Sequence, residues 1–287
     1  MIVLGDRIEM LTAPIASIPN NIPVIHFYGG AVTEGAVDEL IRHAITKLSH
    51  YHFVALDNYK KRLIQLGEEK WRVKTVGVHG VKKLKEVKKI SINKLSQIVG
   101  INLNEPYLLL TFHPVTIEKK KIKNQIKSII SAIKKTKLNA IITYPNADIG
   151  HNKIIKIISE NLVDKKKYSI IKNCGITLYS NLMQNCLGMI GNSSSGIVEA
   201  ASFNIPVINI GTRQDGKYKP KNVINSKSSK EDIYKKILKI LKIKKNKNLK
   251  KIKNPYDPKV SLKKIVKMIM KIDNSDKILR KKFIDLT

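Results

Sequence analysis

The sequence predicts an α/β protein of two similar halves, each a parallel sheet covered by helices. Short aliphatic runs alternate with longer segments whose apolar residues recur at helical spacing, and several runs empty into glycine or proline, as strands do at a βα turn. The tetrapeptides Ile22-Pro23-Val24-Ile25 and Ile205-Pro206-Val207-Ile208 echo each other, both after a helix and an asparagine and both running toward glycine. Two facing halves would explain the echo, with a cleft between them as the natural ligand site.

In the first half, Ile2-Val3-Leu4 is strand-like and ends in Gly5-Asp6-Arg7, and Glu9 to Ile18 reads as a helix with Pro14 in its interior. Asn20-Asn21 breaks it before a second strand, Ile22 to Phe27, completing a βαβ unit whose strands run parallel. Gly35 to Ser49 carries Val37, Leu40, Ile41, Ala44, Ile45 and Leu48 at helical spacing. His52 to Leu56 reads as a strand, Asn58 to Leu66 as a helix and Val73 to Val76 as a strand. Val81 to Asn104 is lysine-rich without a clear strand and marks the boundary, giving residues 1–90 and 91–287 as the two domains. The second half repeats the alternation. Strands are expected at Tyr107 to Phe112, Ala140 to Tyr144, Tyr168 to Ile171 and Val207 to Ile210. Helices are expected at Lys119 to Lys135, Ile154 to Leu162, Tyr179 to Cys186 and from the serine loop to Phe203. From Ser229 onward the tail reads as helical and lysine-loaded, interrupted at Asn254 to Pro258.

A hydrophobic share of 43% with 6% aromatics indicates an aliphatic core rather than disorder. The 54 Lys+Arg against 22 Asp+Glu give a net charge of +32, which raises nucleic acid as a partner. Arginine, the base-reading residue, is confined to Arg7, Arg42, Arg62, Arg72, Arg213 and Arg280, and the lysines crowd Lys/Ile/Asn stretches such as Ile237 to Lys253. A solvated lysine face is the better reading, so no specific nucleic-acid partner is expected. No apolar run is long enough to span a bilayer, and Met1 to Asp6 lacks a signal-peptide pattern. Cys174 and Cys186 stand outside any metal-ligand spacing and read as thiols of a reducing, cytoplasmic compartment.

The strongest local signal is Gly191 to Glu199, GNSSSGIVE. A strand there opens into a loop of small residues that starts a helix, so backbone N–H groups and serine hydroxyls point outward together, as suits a phosphate or diphosphate. A serine-capped helix start would use the same residues, but three consecutive serines exceed what a cap requires. His113 lies where a buried strand ends, a ligand position in open parallel sheets, and is read either as functional or as structural. Pro145-Asn146-Ala147-Asp148 is a turn or a ligand loop. Asp38 and Arg42 are four apart and share a helix face, either as site residues or as a surface pair worth roughly a few tenths of a kcal/mol. Asp6 is either a site carboxylate or a helix cap.

Taken in order, GDRIEM, HFYGGAVTEGAVDELIRHAITKLSH, TFHPVT, YPNAD, IGNSSSGIVEAASF and IPVINIGTRQDGK resemble the UDP-N-acetylglucosamine 2-epimerase family over residues 1 to 220. The TEGA-x-D-x-x-x-RH and G-x-RQ-x-G segments are similar to its hydrolysing branch, which includes epimerases of UDP-N,N′-diacetylbacillosamine. The resemblance implies two Rossmann-like domains in a glycosyltransferase-B arrangement, with the first incomplete. Relatives begin with further β-α units, so Met1 is expected to fall inside that domain, in an N-terminally truncated chain. It also implies a homo-oligomer, dimer or tetramer, that takes a UDP-sugar without cofactor or metal.

Carried over residue by residue, Ser193 and Ser194 would meet the phosphates, Glu199 the ribose hydroxyls and Arg213 the UDP, with His113 near the diphosphate and sugar. Asp6, Asp38 and Arg42 would belong to the catalytic side. The implied reaction eliminates UDP to a 2-acetamidoglucal and adds water with inversion at C2, within nonulosonic (sialic or legionaminic) acid biosynthesis. Where relatives read His-Gly-Gly-Glu, this chain reads Tyr28-Gly29-Gly30-Ala31. A non-hydrolysing 2-epimerase and a non-catalytic UDP-sugar-binding fragment are the alternatives.

Overall fold

A computed structural model describes residues 1–34, 36–245, 252–272 and 275–285. Its contacts divide the chain into two compact units, Met1–Lys82 with Pro255–Thr287, and Lys83–Asn254.

The first unit carries a four-stranded, all-parallel sheet of order β1-β2-β3-β4. In chain order its elements are β1 (Ile2–Leu4), α1 (Ile8–Ser17), β2 (Ile25–Phe27), α2 (Asp38–Leu48), β3 (Tyr51–Val54), α3 (Asp57–Gln65) and β4 (Val73–Thr75), with α4 (His79–Lys85) at its exit. Pro14 lies inside α1 without ending it. The expected strand from Ile22 starts only at Ile25, because Pro23 has no N–H to give a ladder. The helix expected from Gly35 begins at Asp38, and Gly35 itself lies outside the described residues. Val3, Val24, Ile41 and Ile45 pack on one side of the sheet, and Ile25, Tyr51, Phe53 and Val76 on the other.

The second unit contains α5 (Ile92–Val99), β5 (Tyr107–Thr111), α6 (Ile122–Thr136), β6 (Asn139–Thr143), α7 (His151–Asn161), β7 (Tyr168–Ile171), α8 (Gly175–Asn185), β8 (Gly188–Gly191), α9 (Ser194–Val198), β9 (Val207–Ile210), β10 (Val223–Ser226) and α10 (Lys230–Lys245). Its six parallel strands run β10-β9-β8-β5-β6-β7, which is the Rossmann order 3-2-1-4-5-6 read from the far edge. Along β5, Leu108 and Leu110 face Ile126, Ile130, Ile154 and Ile237, whereas Tyr107 and Leu109 face Leu95, Leu182 and Met183. Both faces are therefore covered, and strands buried on both sides read as continuous aliphatic runs. On α6 the isoleucines point inward while Lys123, Lys127, Lys134 and Lys135 are exposed, so on this helix the charge is a solvated face. Strand β10 was not anticipated; it is a partly exposed edge strand, Val-Ile-Asn-Ser, too short and polar to stand out.

The paired tetrapeptides mark a real repeat. Asn21 and Asn204 both adopt left-handed backbone (φ 50° and 54°), each closing a 3-10 turn just before an Ile-Pro-Val-Ile stretch that feeds a parallel strand.

The expected 91–287 domain differs from this division at its end, since the tail from Pro255 groups with the first unit. Side chains buried in that unit account for its return. Arg72 donates to the carbonyls of Lys277, Ile278 and Arg280 at 2.7 to 2.9 Å. The Tyr256 hydroxyl meets that of Tyr59 at 3.1 Å, and Ile265 of α11 (Leu262–Ile269) joins the cluster of Ile25 and Phe53. A final short helix, α12 (Asp276–Leu279), is held by Arg72 at its carbonyl end. The lysine stretch from Ile237 to Lys253 is described only to residue 245 and from 252, and its middle lies outside the described residues.

Candidate functional site

The second unit has its candidate site where β5 and β8 lie side by side. From β5 the chain proceeds outward to β6 and β7, then crosses back to β8, β9 and β10 on the other side. Ligands of open α/β sheets bind beyond the carboxyl ends of the strands at such a reversal. His113 follows β5 and Asn192 follows β8, so the two expected loops flank it.

The loops are stitched together by Asn192, a fully buried side chain that sequence reasoning passed over. Its Oδ1 accepts from His113 N–H at 2.7 Å and its Nδ2 donates to His113 O at 2.9 Å. Its own carbonyl accepts from Arg213 Nη1 at 3.2 Å and from Gln214 Nε2 at 2.9 Å. Gly191 permits this close approach: at φ +130° a Cβ there would lie 2.0 Å from Thr111 O. His113 Nδ1 accepts from Asn146 N–H at 3.1 Å, which leaves the ring proton on Nε2. Burial, with Arg213 nearby, holds His113 down to about 3, so it is a neutral hydrogen-bond donor. The YPNAD turn therefore orients His113 through the Asn146 backbone.

The cap reading of the serine loop is realised. Ser193 caps α9, accepting from Ser195 N–H at 3.3 Å, while Ser194 is exposed at the first helical position. Ser195, absent from the expected set, donates to Glu199 Oε2 and accepts from Tyr179 Oη at 3.0 Å. Burial pushes the Glu199 carboxyl up, against the Ser195 hydrogen bond.

In the first unit, Asp6, Arg42 and Glu39 form a second cluster. Arg42 is 1% exposed, and all five N–H donors of its guanidinium are engaged. Nε and Nη2 reach Asp6 Oδ2 at 2.9 and 2.5 Å, Nη2 also Thr33 Oγ1 at 2.7 Å, and Nη1 Ala31 O at 2.9 Å and Glu39 Oε2 at 2.5 Å. The partner on the helix is thus Glu39 at i,i+3 rather than the expected Asp38 at i,i+4. Asp6 is not a cap either, since α1 is preceded by Arg7 and has no side-chain cap. Burial opposes ionisation of Glu39, but hydrogen bonds from His43, Thr33 N–H and Arg42 outweigh it and bring it to about 2. Asp38 is half-buried at the first residue of α2.

The Gly5-Asp6 turn is fixed from beneath by His26. Its Nε2 donates to Gly5 O at 2.8 Å, its Nδ1 lies 3.2 Å from Thr46 Oγ1, and burial keeps the ring neutral, at about 4. The departing segment Tyr28 to Ala31 is well fitted here: the Tyr28 hydroxyl accepts from His79 N–H at 3.3 Å, and Ala31 is buried with its carbonyl on Arg42.

A family model described as UDP-N-acetylglucosamine 2-epimerase matches residues 1–270. The chain is 43% identical over 225 residues to the UDP-N,N′-diacetylbacillosamine 2-epimerase (hydrolyzing) of Legionella pneumophila, a match covering 78% of this chain and 59% of the relative. It is 38% identical over 289 residues to the GDP/UDP-N,N′-diacetylbacillosamine 2-epimerase (hydrolyzing) of Campylobacter jejuni, covering 100% of this chain and 74% of that one. The match to the Legionella protein thus spans less than two thirds of that protein's length. Among solved structures, the UDP-GlcNAc 2-epimerase from Neisseria meningitidis bound to UDP-GlcNAc shares the fold with a TM-score of 0.77 at 22% identity, over 94% of this chain and 76% of that one.

Proposed function

Because the chain belongs to the UDP-N-acetylglucosamine 2-epimerase family, we propose that it is a hydrolysing 2-epimerase converting a UDP-linked acetamido sugar and water to UDP and the free, 2-epimerised sugar. UDP-N-acetylglucosamine and UDP-N,N′-diacetylbacillosamine are the two substrates to compare, and the free sugar would enter nonulosonic acid biosynthesis. One observation carries the proposal: a Rossmann-ordered sheet with His113, the Ser193-Ser194 loop, Glu199 and Arg213 gathered beyond the ends of β5, β8 and β9. That is a set for an anionic nucleotide, offering neutral donors, a cation and an acceptor for hydroxyls.

In the proposed chemistry a carboxylate takes the C2 proton as the C1–O bond to UDP breaks, giving the 2-acetamidoglucal. Water then adds across the double bond, its oxygen bonding C1 and a proton returning to C2 from the opposite face. Asp6, held through Oδ2 by Arg42, and Asp38, at the first residue of α2, are the two carboxylates to which we give the C2 proton. His113 Nε2–H, Ser193, Ser194 and Arg213 would stabilise charge on the departing diphosphate. The homo-oligomer implied by the resemblance, a dimer or tetramer, remains part of the proposal.

Incubating the purified chain with each UDP-sugar and following UDP and free sugar tests this directly. Free 2-epimerised sugar is expected, and UDP-linked mannosamine-type product would replace the hydrolysing reading by the non-hydrolysing one. Tyr28 and Ala31, standing where the resemblance implies His and Glu, favour a second reading of UDP-sugar binding without turnover. UDP binding without glucal or free sugar in the same assay would establish it.

A further inference from the structure

Three side chains of α8, α9 and the turn after it lie head to tail and finish at one carboxyl: Tyr179, Ser195 and Glu199. The direction of the hydrogens follows from chemistry. An ionised carboxylate only accepts, so Ser195 donates to Glu199 and, its single hydrogen engaged, accepts from Tyr179 at 3.0 Å. Each bond polarises the next in the same sense. The two hydroxyls orient the carboxyl. They engage its Oε2.

We propose that Tyr179 and Ser195 are positioning residues that fix Glu199 as a reader of the ribose diol, giving the second unit a preference for a ribonucleoside over a 2′-deoxyribonucleoside diphosphate. This rests on the reading of that unit as a UDP site and names what sets its sugar selectivity. A vicinal diol presents donors to an acceptor-only carboxylate. An analogue lacking one hydroxyl leaves a carboxylate oxygen desolvated and unpaired, and sites built on a hydroxyl contact discriminate strongly for that reason. Discrimination requires that the carboxyl cannot turn away to another partner, and the hydroxyl chain provides that restraint.

Isothermal titration of the full chain with UDP and 2′-deoxy-UDP tests this. Wild type is expected to bind UDP about tenfold or more tightly than the deoxy analogue, the worth of one hydrogen bond to a charged acceptor. Ser195→Ala should reduce the ratio to about threefold or less, Tyr179→Phe should lower it by about threefold, and Ser195→Thr, which restores a hydroxyl, should keep it. Thermal melts of the near-isosteric Tyr179→Phe verify that the fold is intact. If Ser195→Ala and Tyr179→Phe keep the wild-type ratio while Glu199→Ala abolishes it, the positioning roles are overturned and the UDP reading stands. If wild type fails to bind UDP, or Glu199→Ala leaves the ratio unchanged, the ribose reading falls and this inference falls with it.

Discussion

Glu39 in the first unit and Glu199 in the second are both carboxyls withdrawn from water, and they respond in opposite directions. Glu39 accepts from Arg42, Thr33 N–H and His43 and is drawn down to about 2. Glu199 has a serine hydroxyl as its hydrogen-bond partner and is pushed up by burial. Burial penalises the charged form in both, and the outcome depends on whether a cation and backbone donors face the group. The first arrangement is a closed structural anchor in which every guanidinium hydrogen already has a partner. The second holds a carboxyl with a neutral hydroxyl donor in place of the first's cation. On the proposal above, the difference separates a residue that holds a loop from one placed to read a ligand.

Four experiments break or sharpen this contrast. The largest effect is expected from Arg42→Met, which strands Asp6 and Glu39 and should cost about 3–5 kcal/mol in urea unfolding. A loss under 1 kcal/mol would show that the cluster is not an anchor. Next, Asn192→Ala removes both amide bonds to the His113 backbone and should cost about 1–3 kcal/mol, read as a lower melting temperature together with weaker UDP binding.

The acid limb of stability separates the two carboxyls by sign. Glu39, lowered from 4.5 to about 2, contributes stability that is present above its unfolded value and lost as pH falls toward 2. Glu199, raised, contributes stability that is present below its unfolded value and lost as pH rises through its folded one. Urea midpoints between about pH 6 and pH 3 should therefore fall less steeply in Glu39→Gln than in wild type, and more steeply in Glu199→Gln. Parallel profiles for the two variants would refute the contrast. The smallest effect is Glu199→Gln at neutral pH, expected within about 1 kcal/mol of wild type and on the stabilising side, because burial disfavours the carboxylate more than the Ser195 hydrogen bond favours it. Its UDP affinity should nevertheless fall.

Much of the second unit was legible in advance. A strand buried on both faces must be aliphatic throughout, and a helix beside it must carry isoleucine inward and lysine outward, so the Lys/Ile pattern located β5, β6, α6 and α7. The GNSSSGIVE loop stood out because small residues at a strand end have few other uses. The first unit was read less closely at its edges. Pro23 shortened β2, and the pairing of Arg42 with Glu39 along α2 has no mark in the sequence, since i,i+3 and i,i+4 neighbours are equally near on a helix surface.

The sequence by itself determined the parallel α/β class, most of the alternation of elements and the residues after β5, β8 and β9 from which a site could be made, because period, glycine placement and strand ends are local properties. Tertiary structure alone decided the rest: that Asn192 ties His113 to the serine loop, that Tyr179 and Ser195 hold Glu199, and that the tail beyond Pro255 returns to the first unit through Arg72 and Tyr256. Those partners lie up to 208 residues apart in the chain. They are chosen by which buried donors and acceptors would otherwise go unsatisfied once the sheets have formed, and no local pattern records that choice.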